Sequence, residues 1–398
     1  MTMTGTKRLR VPRGLKQEGA ALWSYGFRPF FLGGAIWAVL AMALWIAALS
    51  HGLPLGGDLG APLWHAHEMV FGFAPAVLAG FLLTAIPNWT GGLPVSGWPL
   101  IGLVAVWALG RVAMAGAALW GVPLAAVADA AFLPLLLAVA AREILAGRKW
   151  HDLKLLAAVA AIAIGNLGFH LAADPAPWLR GAVAGYVLLI LIIGGRIIPS
   201  FTRNWLAQRG AAALPVPFGR FDIGVIAISA LTLVIWVAAP ESGLLAAAAL
   251  VAAALNAVRL ARWRGIACRA EPLVFVLHAA YGFVPLGFLA LAMAQAGVIA
   301  TASALHVLTV GAVAAMMLAV MTLATRGHTG RALTASRVTV LSYLCLFGAA
   351  IARPLADLTG GLWLMEAAGA LWICAFGLFI AEHAVMLICQ RRKPRAEA

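Results

Sequence analysis

Charged side chains are scarce in this sequence. Only 11% of its 398 residues are Asp, Glu, Lys or Arg, whereas 64% are hydrophobic. Soluble globular domains carry about 25% charged residues, so this chain lacks the polar surface that a fold in water requires. The composition excludes a water-soluble protein and indicates a membrane protein.

Cysteines are few, and their spacing excludes two further classes of protein. None of the four lies in a CxxC or CxxCH motif; they are Cys268, Cys345, Cys374 and Cys389. A disulfide framework and a covalently attached c-type haem are therefore not expected.

Short segments of alternating polarity, which are typical of membrane β-barrels, are also missing. Apolar runs of about 20 residues, enough to cross a hydrocarbon core about 30 Å thick, recur along the chain instead. We predict an all-α polytopic bundle of about twelve transmembrane helices in a single domain over 27–388, with a basic N-terminal segment at 1–26 and a basic tail at 389–398. The predicted helices cover 27–50, 67–88, 98–120, 121–145, 152–172, 178–198, 222–239, 242–262, 272–293, 298–323, 335–356 and 362–388.

The formal charge of +14 is distributed along the chain rather than gathered in one patch. Lys and Arg recur between alternate apolar runs, while the loops at 51–64, 173–177, 239–242, 294–301 and 357–361 contain neither residue. By the positive-inside rule, both termini are predicted to be cytoplasmic. The basic residues thus indicate orientation in a lipid bilayer, and nucleic acid is not an expected partner.

Four histidines are predicted at one level near the outer face, counting 1.5 Å per residue from the helix ends: His65, His67, His170 and His306. Ionisable groups inside a membrane are costly and usually functional. Two imidazoles of the His-x-His-Glu run at 65–68 can converge on one ion if the second helix begins in a partly extended conformation. Imidazole suits copper, zinc and haem iron alike, so the run indicates a metal without naming it. For His170 alone, an interfacial histidine in contact with water is the alternative.

A second set of ionisable residues is predicted toward the cytoplasmic face. His278 lies inside an apolar helix and is a candidate metal ligand or proton carrier. His328, in the loop after the tenth helix, is a further candidate, with a solvated loop residue as the alternative. Arg196 and Arg203 are candidates for pairing with the propionates of a haem, because Arg pairs well with carboxylates. For His383, an interfacial ion pair with the adjacent Glu382 is the expected role.

Arg111 and Asp129 fall at the same mid-membrane depth on consecutive predicted helices. The simplest interpretation is a structural salt bridge between them. Membership of a proton path is the alternative.

Ordered sequence strings resemble the NnrS family over residues 26 to 331 and beyond. The strings are GFRPFF (26–31), WHAHEMVFGF (64–73), GFLLTAIPNWTG (80–91), GGRIIPSFTRNWL (194–206), LHAAYGFVPLG (277–287), ALHVLTVGA (304–312) and MTLATRGHTGR (321–331). The resemblance implies a bacterial cytoplasmic-membrane protein associated with nitric oxide metabolism and resistance to nitrosative stress. It further implies copper and a non-covalent haem, of b type, with nitric oxide or another small diatomic molecule as ligand.

Carried over onto this sequence, the family strings contain His65, His67, His278, His306, His328 and Arg196, whereas His170 lies in a segment of weaker resemblance. We expect His65, His67, His306 and His170 at an outer metal site. His278, His328, Arg196 and Arg203 are the candidates for a second, cofactor-binding site. Which histidines hold haem and which hold copper stays open, as do the catalytic residues.

Three classes of function are compatible with this sequence. The first is a haem and copper oxidoreductase that handles nitric oxide and takes electrons from an unknown donor. The second is a haem or copper sensor, or a cofactor-handling protein, without turnover. The third is a twelve-helix secondary transporter, which would need no metal but for which the sequence offers no clear internal repeat.

Overall fold

The computed structural model of this protein describes residues 19–148, 150 and 153–391, apart from the side chain of residue 154. Residues 1–18 and 392–398, most of the two predicted basic segments, lie outside the described residues. The predicted division into one transmembrane domain and two basic ends therefore stays a prediction.

The described residues form a helical bundle, and the predicted all-α polytopic fold is confirmed. Eleven helices are long and apolar enough to cross a membrane, and a shorter apolar stretch, Leu155–Leu171, lies where the fifth helix was predicted. The helices are α1 Phe27–His51, α2 Gly57–Thr90, α3 Trp98–Ala115, α4 Val122–Ala146, α5 Leu153–Leu171, α6 Ala176–Ala207, α7 Arg220–Ala238, α8 Gly243–Ala261, α9 Pro272–Gln295, α10 Thr301–His328, α11 Arg337–Thr359 and α12 Leu362–Ile388.

Three of these helices extend beyond their predicted ends in a way that affects candidate residues. One is α6, which continues to Ala207 instead of ending at residue 198 and therefore contains Arg203. α2 begins ten residues before the predicted start, because Trp64 is buried and donates a hydrogen bond to the Met114 carbonyl of α3 at 2.8 Å. His65 and His67 are therefore helical, and the expected extended conformation there is wrong. α10 continues to His328, which lies in the last helical turn and not in a loop. Arg326 in that turn is held against α12 by an ion pair with Glu382 at 3.0 Å.

α2, α6, α9 and α10 are the inner helices, with most of their residues buried in the bundle. Three of the four contain a π-helical segment: Glu68–Phe73 in α2, Ile190–Gly194 in α6 and Val307–Ala314 in α10. π segments widen a helix and change the direction of the side chains that follow, and they are frequent at functional sites. Here the segments in α2 and α10 begin directly after His67 and His306.

The two ends of the described chain meet on one side of the bundle. Arg28 at the start of α1 donates hydrogen bonds to the carbonyls of Leu387 and Cys389 at the end of α12, both at 2.8 Å. This arrangement agrees with an even number of membrane crossings. The end of α10 also lies on this side, because His328 packs against Tyr25 and Phe27, and this is the predicted cytoplasmic side.

Near that side, a buried polar network joins α7, α8 and α9. Arg259 donates to Asp222 at 2.8 Å and to the Tyr281 hydroxyl at 3.1 Å, and Tyr281 donates to Asn256 at 2.8 Å. Buried charges are stable only when they are paired and hydrogen-bonded. The network therefore fixes the position of α9, the helix that carries His278.

Candidate metal centre and histidine cavity

His67 lies at the last position of α2 before its π segment and is completely buried. Its Nδ1 is 2.8 Å from the Glu68 carboxylate, and its Nε2 is 3.1 Å from Asp129 Oδ2 and 3.2 Å from the Asn166 amide oxygen. All three neighbours are acceptors, whereas a neutral imidazole has only one N–H. With Nδ1–H donating to Glu68, the lone pair of Nε2 faces two oxygens. A cation, either a proton or a metal ion, is required between them.

His170, near the end of α5, approaches the same Asp129 oxygen. Its Nε2 is 2.9 Å from Asp129 Oδ2, and Asn166, one turn earlier on α5, donates its amide to that oxygen at 2.8 Å. One ligand atom from each of His67, Asp129 and His170 lies within 4.8 Å of the others. Ligand atoms about 2.0–2.2 Å from a single ion lie at most about 4.4 Å apart, and the distances of 3.1 Å and 2.9 Å from Asp129 Oδ2 to the two imidazoles are within this limit. This buried group can therefore hold a metal ion.

Arg111 of α3 lies behind this group and balances part of its negative charge. Its guanidinium pairs with Glu68 at 2.5 Å and, by the other terminal nitrogen, with Asp129. Trp37 of α1 also donates to Glu68, at 2.8 Å. The predicted Arg111–Asp129 salt bridge is thus confirmed, but it belongs to a larger set, the His67 cluster, composed of His67, Glu68, Arg111, Asp129, Asn166 and His170. With neutral histidines the cluster carries one excess negative charge, which favours a bound cation.

Gly72, in the π segment of α2, allows Arg111 and Glu68 to pair closely. A Cβ atom at this position would lie 2.6 Å from Glu68 Oε2 and 3.0 Å from Trp37 Nε1, and closer still to Arg111. We expect Gly72→Ala to destabilise the protein by about 1–3 kcal/mol through overpacking and to lower its metal content. Thermal unfolding and elemental analysis measure the two effects.

Gly102→Ala on α3 is the matched control for Gly72→Ala, because a Cβ atom at Gly102 meets nothing within 4 Å. Replacement of a helical glycine by alanine is otherwise stabilising by about 0.5–1 kcal/mol. Equal behaviour of the two variants would contradict a role for the close approach at Gly72.

His65 points away from the His67 cluster into a separate cavity of about 410 Å³, which is also lined by His306 and Arg353. The His65 ring stacks on Trp45 with centroids 4.7 Å apart, and its buried Nδ1 has no hydrogen-bond partner in the part of the chain that the structure describes. His306 donates from Nδ1 to the Ala302 carbonyl at 2.7 Å. A carbonyl only accepts, so the lone pair of a neutral His306 is on Nε2. We call this space the His306 cavity; most of its lining is apolar.

The sequence profile of the family described as NnrS protein matches residues 21–391. The chain belongs to the NnrS family. The match includes both histidine groups, and the resemblance predicted from the sequence strings is confirmed. Comparison with curated proteins gave no significant match.

In this NnrS protein, the four outer histidines are brought together as two pairs. His67 and His170 meet in the His67 cluster, whereas His65 and His306 line the His306 cavity. Successive helical residues are rotated by about 100°, since a turn contains 3.6 residues, so positions two apart point in nearly opposite directions. α2 therefore separates the two sites.

The four residues of the second predicted site contact different parts of the protein. His278 Nε2 forms a hydrogen bond with the Thr202 hydroxyl at 2.7 Å, while the His328 ring packs against the rings of Tyr25 and Phe27. Arg203 donates to the Pro215 carbonyl at 2.8 Å, and Arg196 lies 5.9 Å above the ring of Phe218. Within the described residues, neither histidine joins a group of three metal-compatible side chains. Their role in cofactor binding stays a prediction.

The expected ion pair between Glu382 and His383 is wrong. Glu382 pairs with Arg326 and accepts a hydrogen bond from Thr339, while His383 donates to the Phe379 carbonyl at 3.2 Å. Adjacent residues of a helix diverge by about 100°, so the two side chains reach different neighbours.

From the sequence, Asp129 was assigned to a salt bridge and missed as a candidate metal ligand. The available signal was its depth, which placed it level with Arg111, together with the Asn166-x-x-x-His170 spacing that puts both side chains on one face of α5. Neither observation shows that α4 and α5 pack beside α2, and that packing creates the site.

Proposed function

We propose that this NnrS protein is a haem and copper protein of the bacterial cytoplasmic membrane that binds nitric oxide and removes it by reduction. The observation that carries the proposal is the buried group of His67, Asp129 and His170, whose acceptors are satisfied by a proton or a metal ion and whose ligand atoms are close enough to share one ion. The family supplies the nitric oxide association, and the separate His306 cavity offers room for a second cofactor.

Copper is the ion that we assign to His67, Asp129 and His170. Two imidazoles and one carboxylate form a nitrogen and oxygen ligand set that accepts Cu(II) and also suits non-haem Fe(II), and the association of the family with copper selects between them. Glu68 holds the His67 ring through Nδ1, and such carboxylate partners orient metal-bound histidines and raise their basicity. Arg111 limits the negative charge, so that a single cation completes the cluster.

The His306 cavity is the place that we assign to haem. His306 has the lone pair of its neutral ring on Nε2, and the ring of His65 lines the same cavity. Arg353 lines the same cavity and can pair with a propionate. The remaining lining, which includes Met69, Val313 and Trp372, is apolar and suits the faces of a porphyrin.

When bound, these groups supply a ligand-binding iron and a second redox centre. The protein excludes water through the apolar lining and fixes the imidazoles through Ala302 and Glu68. Nitric oxide is small and neutral and needs no polar path to a site between helices. The balanced reaction is 2 NO + 2 e⁻ + 2 H⁺ → N₂O + H₂O.

A nitric oxide electrode tests this proposal on purified, metal-loaded protein under anaerobic conditions with dithionite as reductant. We expect sustained loss of nitric oxide, and a rate lower by at least about 100-fold in the double variant His67→Ala, His170→Ala, because loss of second-shell partners alone costs about 10–100-fold. His51→Ala, at an exposed position at the end of α1, is the control.

Other outcomes select the alternative functions. Stoichiometric binding of nitric oxide without sustained loss would favour a sensor. Absence of both Soret absorption and copper from the purified protein would contradict the proposal and favour a transporter.

A further inference from the structure

A groove of about 1120 Å³ lies between the end of α8 and the first half of α9, apart from the two sites described above. A short 3₁₀ turn at Gly265–Cys268 joins the two helices and lines the groove on the predicted cytoplasmic side. On α9 the lining extends to Pro285, about 20 Å from the helix start at Pro272 at a rise of 1.5 Å per residue. Half of the hydrocarbon core is about 15 Å thick. The groove therefore runs from the membrane boundary through the depth of the cytoplasmic leaflet.

The lining along the two helices is apolar and partly exposed. Ile266 in the turn is 74% exposed, and Phe275 on α9 is 38% exposed. Gly282 keeps the groove open farther along α9, because a Cβ atom at this position would meet only Leu260, at 3.7 Å. Exposed apolar surface of this kind is costly in water and favourable against hydrocarbon. The groove therefore offers an apolar path for a hydrocarbon chain.

Two arginines, Arg264 and Arg269, lie at the cytoplasmic end of the groove with exposed side chains. Among the described residues, neither guanidinium has an ion pair or a hydrogen bond, and those that line the groove include no Asp or Glu. Glu271, two positions after Arg269, is buried and accepts hydrogen bonds from the backbone N–H groups of Leu273 and Ala335, at 3.1 Å and 3.0 Å. Two uncompensated positive charges therefore lie at the level of the lipid headgroups.

The backbone of Arg264 supports a role for its side chain. Its φ of 58° and ψ of 38° lie in the left-handed region, which residues other than glycine, asparagine and aspartate seldom adopt. Glycine would make the same turn without strain. Strained positions of this kind are concentrated at functional sites, so the strain points to a requirement for the guanidinium as well as for the turn.

We propose that this groove binds an anionic phospholipid, with its phosphate paired with Arg264 and Arg269 and an acyl chain along α9 toward Pro285. Arginine pairs well with phosphate, and basic pockets on the cytoplasmic side of transmembrane helices bind anionic headgroups. A soluble anion would leave the apolar lining without a partner, and a neutral lipid would leave two positive charges uncompensated. The site does not depend on haem or copper.

The binding test titrates the full-length protein in detergent micelles with phosphatidylglycerol or with phosphatidylcholine of the same acyl chains. Native mass spectrometry counts the bound lipids and gives both dissociation constants. We expect one phosphatidylglycerol to bind at least tenfold more tightly than phosphatidylcholine, because each arginine near the membrane surface adds to the attraction for an anionic headgroup. The double variant Arg264→Gly, Arg269→Gln should bring this ratio close to one, and glycine at position 264 preserves the left-handed turn.

The double variant Arg209→Gln, Arg220→Gln is the matched control. It removes the same formal charge from exposed side chains that are also on the predicted cytoplasmic side but lie outside the groove, so it should keep the tenfold preference. An unchanged ratio in the Arg264 and Arg269 variant, or an equal fall in both double variants, would overturn the proposal. Displacement of phosphatidylglycerol by inorganic phosphate at equal concentration would also overturn it, since the groove would then select a free anion.

Gly282→Trp tests the apolar part of the groove separately. The added ring fills space beside Leu260 and leaves both arginines in place, so binding of phosphatidylglycerol should weaken at least tenfold. Gly224→Trp on α7, an exposed position where a Cβ atom meets nothing within 4 Å, is its control and should bind like the unaltered protein. A cooperative thermal transition without added lipid verifies that each variant is folded. If Gly282→Trp binds phosphatidylglycerol as tightly as the unaltered protein, no acyl chain occupies the groove and the proposal is wrong.

Discussion

Asp129→Asn is expected to release the metal ion from the His67 cluster and to destabilise the metal-free protein by about 3 kcal/mol. The carboxylate joins His67, His170 and Asn166 and pairs with Arg111 in the same buried volume. Removal of one partner of a buried ion pair typically costs about 3–5 kcal/mol, and the remaining pairing of Arg111 with Glu68 offsets part of this. Elemental analysis gives the metal content, and thermal unfolding of chelator-treated protein gives the stability.

Asp222→Asn is the matched control for this prediction. Asp222 forms the other buried pair, with Arg259 at 2.8 Å, so this substitution should destabilise the protein to a similar extent while the metal content stays the same. If Asp129→Asn retains its full metal content, Asp129 is not a ligand and the cluster is a structural network.

His306→Ala is expected to abolish the Soret absorption, or to reduce it at least tenfold, in protein purified with haem. The ring is oriented by the hydrogen bond from Nδ1 to the Ala302 carbonyl, which leaves Nε2 as a ligand that alanine cannot supply. Visible spectroscopy of equal protein amounts measures the loss, and added imidazole should restore part of the absorption.

His383→Ala provides the comparison for His306→Ala, since His383 donates to the carbonyl four residues earlier in the same way. It lies outside the His306 cavity and should keep the full absorption. Should His306→Ala and His65→Ala both retain all the haem, the assignment of haem to this cavity is wrong.

The His67 cluster and the His306 cavity lie on opposite sides of the same helix, α2. His65 faces the His306 cavity while His67 faces the His67 cluster, with one residue between them in the chain. Tyr186 lines the His306 cavity and donates to the Val70 carbonyl in the π segment of α2 at 3.0 Å. The two sites are therefore joined by a single short helical segment.

The sequence placed each candidate residue by its position along a predicted helix. The bilayer requires runs of about 20 apolar residues, so twelve helices were predicted, with most ends within a few residues of those in the structure. The same counting placed Arg111 level with Asp129, and their salt bridge is confirmed. The family strings supplied the NnrS resemblance, which is also confirmed.

The direction in which each side chain points around its helix axis was harder to predict. The prediction placed His65 and His67 at one site on the assumption of an extended start to α2, and the buried Trp64 makes that segment helical instead. The Glu382–His383 pair was wrong for a related reason, because neighbouring helical positions diverge. The hydrogen-bond partner of His278 is Thr202, which lies 76 residues earlier in the chain.

By itself, the sequence determined the apolar helices to within one span, the pairing of Arg111 with Asp129 and the family. The helices follow from local composition, because a bilayer favours apolar residues along the whole length of a crossing segment, and the family follows from the ordered strings. Only the tertiary structure decided that α2, α3, α4 and α5 bring His67, Arg111, Asp129 and His170 together, and that His65 and His306 meet elsewhere. Lateral packing depends on contacts between residues that are far apart in the chain, and π segments alter the side-chain directions on which those contacts depend.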